Sequence, residues 1–158
     1  MTETVLFRLA DFEDVQTQAL LALHLAGMRE SSPAEAVFAL DLSGLQKPEI
    51  TVWTAWRGER IAGVGALRMM DATLAEIKSM RVHPDFLGQG VGRAMLRHIV
   101  GEARSRGVTR LSLETGRGPS FDAALTLYRS HGFVDGGAFG DYTDNGFSQF
   151  LHLALDRS

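Results

Sequence analysis

Stretches in which apolar and polar residues alternate with period two are interrupted by stretches with helical spacing, and these switches set the element order. Val5–Ala10 alternates as a strand, and Asp11 or Asp14 then caps a helix that runs to about Arg29. Ser32-Pro33-Ala34-Glu35 reads as a second helix start, with Ser32 as N-cap and Pro33 in the first position. The following "ALDLSGLQKPE" reads as an irregular connection whose Leu40, Leu42 and Leu45 fill the core. Ile50–Trp56 and Arg60–Arg68 are strand-like runs joined at Arg57-Gly58-Glu59, a hairpin signal, and a turn near Asp71-Ala72 leads into Leu74–Val82. These three runs form an antiparallel meander. From about Gly90 to Ser105 the apolar positions Val91, Met95, Ile99 and Ala103 recur at three- and four-residue spacing, a helix stopped by Gly107. Arg110–Glu114 is a short strand. Ser120 or Asp122 opens another helix to about His131, and Phe133–Val134 and Gln149–Leu155 finish as strands. The order is β-α-α-β-β-β-α-β-α-β-β without repeat or linker, a mixed α/β (α+β) chain read as one domain over residues 1–158.

Composition narrows the classes of function. No apolar run approaches the ~20 residues of a membrane helix, and the N-terminal "MTETVLFRLADFED" lacks the charged and apolar regions of a secretory signal. A cytoplasmic location and no membrane partner are therefore expected. There is no cysteine, so a disulfide framework, a thiolate metal site and a cysteine nucleophile are excluded, and no metal is expected. A net charge of −3 argues against general nucleic-acid binding. Its distribution says more. Residues 78–129 hold 9 Lys and Arg against 4 acids, a net +5, and the remainder, with 7 basic and 15 acidic residues, is −8. The basic segment suits an anionic ligand, and the acidic remainder leans toward a cationic one.

The basic segment contains "FLGQGVGRAM", in which Gly88, Gly90 and Gly92 precede a helix. A helix start with glycines before it offers unpaired amides and the positive end of the helix dipole to an anion. A mononucleotide loop needs Lys-Ser/Thr after its last glycine, and Arg93-Ala94 stands there instead. The dinucleotide fingerprint spaces its glycines as G-x-G-x-x-G in a β-α-β unit. Here the spacing is G-x-G-x-G and the preceding strand belongs to a meander. Neither fits.

The span from about Glu76 to Phe133, carrying "SMRVHPDFLGQGVGRAMLRHIVGEARSRGVTRLSLET" and "AALTLYRSHGF", resembles the GNAT superfamily of acetyl-CoA-dependent N-acetyltransferases. The resemblance implies a central mixed, mostly antiparallel sheet flanked by helices, and transfer of an acetyl group from acetyl-CoA to the amine of a small molecule or peptide. It also implies that amides of Leu87, Gly88, Gln89, Gly90, Val91, Gly92 and Arg93 hold the coenzyme A pyrophosphate. Met80, Arg81 and Val82 would pair with the pantetheine arm through their backbone, with an N–H near Met80 on the thioester carbonyl. Two positions depart from the family pattern: Leu87 replaces an Arg or Gln, and Phe121 replaces an Asn, for which Ser120 could substitute. A possible homodimer is a further implication, since dimers are common among the proteins it resembles.

Acetyl transfer to an amine needs a base for the ammonium, a donor for the carbonyl oxygen and a proton for the departing thiolate. Tyr128 is the candidate acid, a phenol with a pKa near 10, close to that of an alkyl thiol. Glu76 is the candidate base. His83, in a "HPD" turn, is a weaker one, and His24, His98 and His131 read as helix-face residues without a role. Asp141, Tyr142 and Asp144 occupy a polar loop that lines the acceptor site in the family or is simply a turn. The acceptor itself would lie against residues 13–48 and 136–147. A non-catalytic acyl-CoA-binding module is the alternative reading.

Overall fold

A computed structural model describes residues 4–155. Its strands are β1 (Leu6–Leu9), β2 (Ile50–Arg57), β3 (Arg60–Met69), β4 (Leu74–Val82), β5 (Arg110–Thr115), β6 (Val134–Gly136) and β7 (Gln149–Ala154). The helices are α1 (Val15–Ser31), α2 (Leu42–Leu45), α3 (Val91–Ser105) and α4 (Asp122–Ser130). All seven strands join one sheet in the order β1-β2-β3-β4-β5-β7-β6, antiparallel throughout except where β4 and β5 run parallel. The expected mixed sheet and element order are therefore present, with one exchange.

The exchange lies between α1 and β2. Ser32 does not open a helix but closes α1 as its C-cap, and only a single 3₁₀ turn, Ala34–Ala36, follows Pro33. The second helix sits inside the expected irregular stretch. Asp41 caps it, its Oδ1 accepting hydrogen bonds from the Gly44 amide at 2.8 Å and the Ser43 hydroxyl at 2.9 Å. Leu45 is buried, and Leu40 and Leu42 pack beside it, so these leucines do fill the core. For α1, Asp14 rather than Asp11 is the cap, accepting from Thr17 N at 2.8 Å.

Two apolar layers cover the sheet. On one face α3 lays Val91, Met95, Leu96, Ile99 and Ala103 against Leu67, Ile77, Leu111 and Leu113, with Leu125 and Tyr128 of α4 in the same cluster. On the other, Leu20 and Leu21 of α1 meet Val52, Trp56, Val64 and Ala66. Burial of this kind, at ~25 cal/mol per Å² of apolar surface, holds the helices to the sheet. No helix among the described residues is long and apolar enough to cross a membrane.

One irregularity shapes everything that follows. Along β3 and β4 the register runs Ala66↔Lys78 and then Val64↔Arg81, so Ser79 and Met80 together oppose the single residue Gly65. This is a β-bulge, and Ser79 takes a positive φ of 56° within it. Gly65 is required opposite: a Cβ there would lie 2.8 Å from Ile99 Cδ1 and 2.9 Å from Met80 Sδ. Met80 therefore points to the α3 face. Because the bulge adds one residue, Lys78 and Arg81 fall on the same face of the strand, opposite Ala66 and Val64.

Candidate active site

β4 and β5 pair only from Leu74↔Arg110 to Ile77↔Leu113. Beyond that point β4 continues beside β3 to Val82, and β5 continues beside β7, with Glu114 opposite Phe150 and Thr115 opposite Gln149. The strands thus separate in a V, leaving the β5-facing edge of Lys78–Val82 without a strand partner. A cavity of about 310 Å³ occupies the V. Its walls are β4 from Glu76 to Val82, β5 from Leu113 to Thr115, His24 and Met28 of α1, Phe38 and Ala39, and the α4 positions Ala123, Ala124, Leu127 and Tyr128. Leu87 and Gly92 close one end and Ser120 and Phe121 lie at the α4 start. The Ser79 hydroxyl on the bulge is buried and has no hydrogen-bond partner, an orphaned donor beside the cavity.

The glycine turn stands at the N-terminus of α3. Gly88 and Gly90 have φ of 74° and 82°, and a Cβ on either would have no neighbour within 4 Å, so the space over the turn is open. Gly90 is the N-cap residue and makes no side-chain cap, which leaves the first amides of α3 without a cap partner. Gly92 is half-buried beneath Val82 and Leu127. The turn is anchored from behind by Arg57, whose guanidinium donates to Gln89 Oε1 at 2.7 Å and to the Gln89 carbonyl at 3.1 Å. Gln89 is thereby tied back to β2 through its side chain and its carbonyl. Arg57 read in the sequence as a hairpin residue, and nothing local could have linked it to a turn 32 residues away. Arg93 is exposed beyond the turn, and Leu87 is 65% exposed at its start.

Among the candidate catalytic residues, Tyr128 lies in the cavity wall, buried against Phe133, and its hydroxyl makes no hydrogen bond to another described residue. Burial pushes the phenol above its ordinary value, so it stays protonated. Glu76 is placed differently from a free base. It lies across from Arg68 in the β3–β4 register and its side chain is 2% exposed. Its Oε1 accepts from Arg68 at 3.0 Å, and its Oε2 accepts from the Tyr142 hydroxyl at 2.5 Å and lies 3.4 Å from Lys78 Nζ. Lys78 also donates to the Tyr142 oxygen at 3.0 Å. Both carboxylate oxygens are thus committed to a network that ties the 136–148 loop to β4. Burial and the adjacent Glu76 push the Tyr142 phenol up.

Glu114 is the carboxylate that the sequence reading missed. It lines the cavity at the carboxyl end of β5, and burial raises its pKa above 4.5, with a hydrogen bond from Ser148 and the charge of Lys78 opposing that rise. The signal was available in "LSLET": Leu111 and Leu113 are the core face, and Glu114 is the first polar residue past the point where β4 leaves.

The histidines divide. His83 caps the 3₁₀ turn Pro84–Phe86, accepting from Asp85 N at 3.1 Å, which is the turn role its sequence suggested. His98 stacks on Phe7, and His131 bonds the end of α4 at the Leu127 carbonyl. His24, read as a plain helix-face residue, instead lines the cavity and accepts from Arg81 Nε at 3.0 Å. Burial, then the charges of Arg81 and Lys78, lower its pKa to about 4. In the tail loop Tyr142 is the residue that reaches the site, Asp144 bonds its own turn at Gly146 N, and Asp141 is exposed. Phe121, in place of an Asn, is buried on Phe147 and over Gly116, and the neighbouring Ser120 is exposed at the cavity mouth. No cluster of three or more His, Cys, Asp or Glu that could hold a metal occurs among the described residues.

Comparison with known proteins gives the family. The family model described as Acetyltransferase (GNAT) family matches residues 17–133. The chain is 45% identical over 145 residues to the uncharacterized N-acetyltransferase YedL of Escherichia coli, covering 92% of this chain and 91% of that one. It is 44% identical over 148 residues to the uncharacterized N-acetyltransferase YsnE of Bacillus subtilis, covering 94% and 98%. A crystal structure from Klebsiella pneumoniae, described as that of an acyl-CoA N-acyltransferase, superposes with a TM-score of 0.80 at 26% identity over 97% of this chain and 99% of that one. With the family model matching residues 17–133 and two relatives matching over nearly the full length, the chain belongs to the GNAT family of acetyltransferases.

Proposed function

We propose that the protein transfers an acetyl group from acetyl-CoA to the amine of a small molecule or peptide, by direct attack within a ternary complex. The observation that carries this reading is the partnerless edge of Lys78–Val82 facing the cavity, in line with the glycine turn at one end and Tyr128 on the wall. An extended pantetheine arm can complete that edge as a strand would, through the backbone of Met80, Arg81 and Val82. The amides of Leu87–Arg93 at the start of α3 then receive the pyrophosphate, with Gly88 and Gly90 leaving the approach open. Ser120 and Leu87 flank the mouth.

In the reaction, Glu114 accepts a proton from the substrate ammonium, and its raised pKa makes it a stronger base than an exposed glutamate. The amine attacks the thioester carbonyl carbon. The oxygen gains charge and is met by a backbone N–H near Met80. When the C–S bond breaks, Tyr128 donates its proton to the sulfur, yielding the amide and the free thiol. Tyr128 regains a proton, through solvent, from the positively charged nitrogen of the adduct, while Glu114 releases the first proton to water. Glu76, held by Arg68, Lys78 and Tyr142, shapes the acceptor wall rather than moving the proton.

Release of thiol from acetyl-CoA, scanned over amines, amino acids, polyamines and peptides, tests the reading. Amine-dependent release supports it. Binding of CoA without turnover across the panel would favour a non-catalytic acyl-CoA-binding module, and thermal stabilisation by ATP but not by CoA would overturn both.

A further inference from the structure

The face of β4 that carries Glu76 and Lys78 carries a third charged residue, because the bulge at Ser79–Met80 brings Arg81 into phase with them. Arg81 lines the cavity and is half-buried. Its guanidinium is fixed by donation from Nε to His24 Nδ1 at 3.0 Å and from a terminal nitrogen to the His24 carbonyl at 3.5 Å. Gly27 leaves the space in which it lies, since a Cβ there would come within 2.8 Å of an Arg81 terminal nitrogen. A glycine inside a helix costs about 1 kcal/mol against alanine, and this close approach accounts for it.

The charge of this guanidinium is not answered by the protein. Arg68 and Lys78 both pair with Glu76, whereas Arg81 has no carboxylate within ion-pair distance among the described residues. Its partner His24 accepts from Nε and is therefore neutral in this arrangement. Glu76, Lys78, Arg81 and Glu114 line the cavity, and since Lys78 pairs with Glu76, Arg81 is the lining cation left without a carboxylate at ion-pair distance among the described residues. The acidic balance outside residues 78–129 leans toward a cationic acceptor, whereas the unanswered guanidinium in the cavity suits an anionic group. Met28 and Phe38 add apolar surface to the same cavity.

We propose that the acceptor is an amine carrying a carboxylate a few bonds from its nitrogen, in the manner of an apolar amino acid, and that Arg81 receives the carboxylate. This rests on the acetyltransferase reading above and narrows its acceptor. The Arg81 backbone serves the pantetheine edge while its side chain turns to the α1 face. A guanidinium suits a carboxylate through paired, directed N–H donors.

Thiol release at saturating acetyl-CoA, comparing L-methionine and L-phenylalanine with their amides, provides the test. The amides have the lower amine pKa and so hold more free amine at neutral pH, which biases the comparison against the proposal. The acids should nevertheless show kcat/KM about 10- to 100-fold higher, the worth of a hydrogen-bonded charge pair. Arg81→Gln should bring the acid-to-amide ratio near one, with Arg81→Lys restoring part of it. Gly27→Ala, which favours the helix but intrudes on the guanidinium, should lower the same ratio in a well-folded chain. Equal or faster turnover of the amides, or an acid preference that survives both Arg81→Gln and Gly27→Ala, would overturn the proposal and leave the acetyltransferase reading standing. CoA binding with no amine turned over would overturn that reading and this proposal with it.

Discussion

Tyr128, Glu114 and His24 occupy one cavity, and burial acts on each with a different consequence. For the phenol it retains the proton that, in the proposed reaction, the leaving thiolate takes up. Tyr128→Phe should lower kcat by about 100-fold while acetyl-CoA affinity changes by less than about threefold. Steady-state kinetics with direct CoA binding checks this, and lost affinity with normal turnover would refute the acid role. For Glu114 burial raises the pKa above 4.5, so kcat/KM should climb with pH along an acid limb lying above that value. In Glu114→Gln the limb should vanish together with most of the activity, as a pH–rate profile will show. A limb retained in the variant would assign it to another group. For His24 burial disfavours the charged ring. The unfolded chain takes up a proton near 6.5 and the folded chain only near 4, so stability is full above 6.5 and falls as pH drops through that window. His24→Asn should flatten the dependence of Tm on pH between those values, measured by thermal unfolding.

At the scale of elements, the site depends on a strand that breaks register and a helix that starts without a side-chain cap. Gly90 holds the second of these with φ at 82°. Since no atom lies within 4 Å of a Cβ placed there, Gly90→Val fails first through its backbone, a β-branched residue in the left-handed region costing ~1–3 kcal/mol. The turn should relax, and calorimetric titration should find CoA affinity reduced by about 5- to 150-fold, the equivalent of that cost. Undiminished affinity in a folded variant would remove the pyrophosphate from this turn. Here too lies the boundary of what the residues declare. The α3 face at Val91, Met95, Ile99 and Ala103 was legible because burial enforces helical spacing. Asp41 was passed over because a one-turn helix leaves almost no periodic signal. The bulge was equally hidden. "KSMRV" looks like any alternating strand, and only pairing against Gly65 discloses that Lys78 and Arg81 share a face.

For the molecule as a whole, charge summed along the chain does not disclose how charge is arranged at the site. The total is −3, whereas the cavity sets Lys78 and Arg81 of β4 against Glu76 and Glu114. Contacts between distant segments account for most of what the sequence withheld: Tyr142 reaches Glu76 across 66 residues, Arg81 reaches His24 across 57, and Arg57 holds Gln89 across 32. What it disclosed was local, namely the glycine turn before α3 and Tyr128 on a short amphipathic helix, which together identified the family. The central claim is direct transfer between two ligands held in one cavity. Initial rates of thiol release over a grid of acetyl-CoA and amine concentrations test it most directly. The account predicts release that requires the amine, with double-reciprocal lines that intersect. Thiol release without amine dependence, or parallel lines reporting an acetylated enzyme, would contradict it.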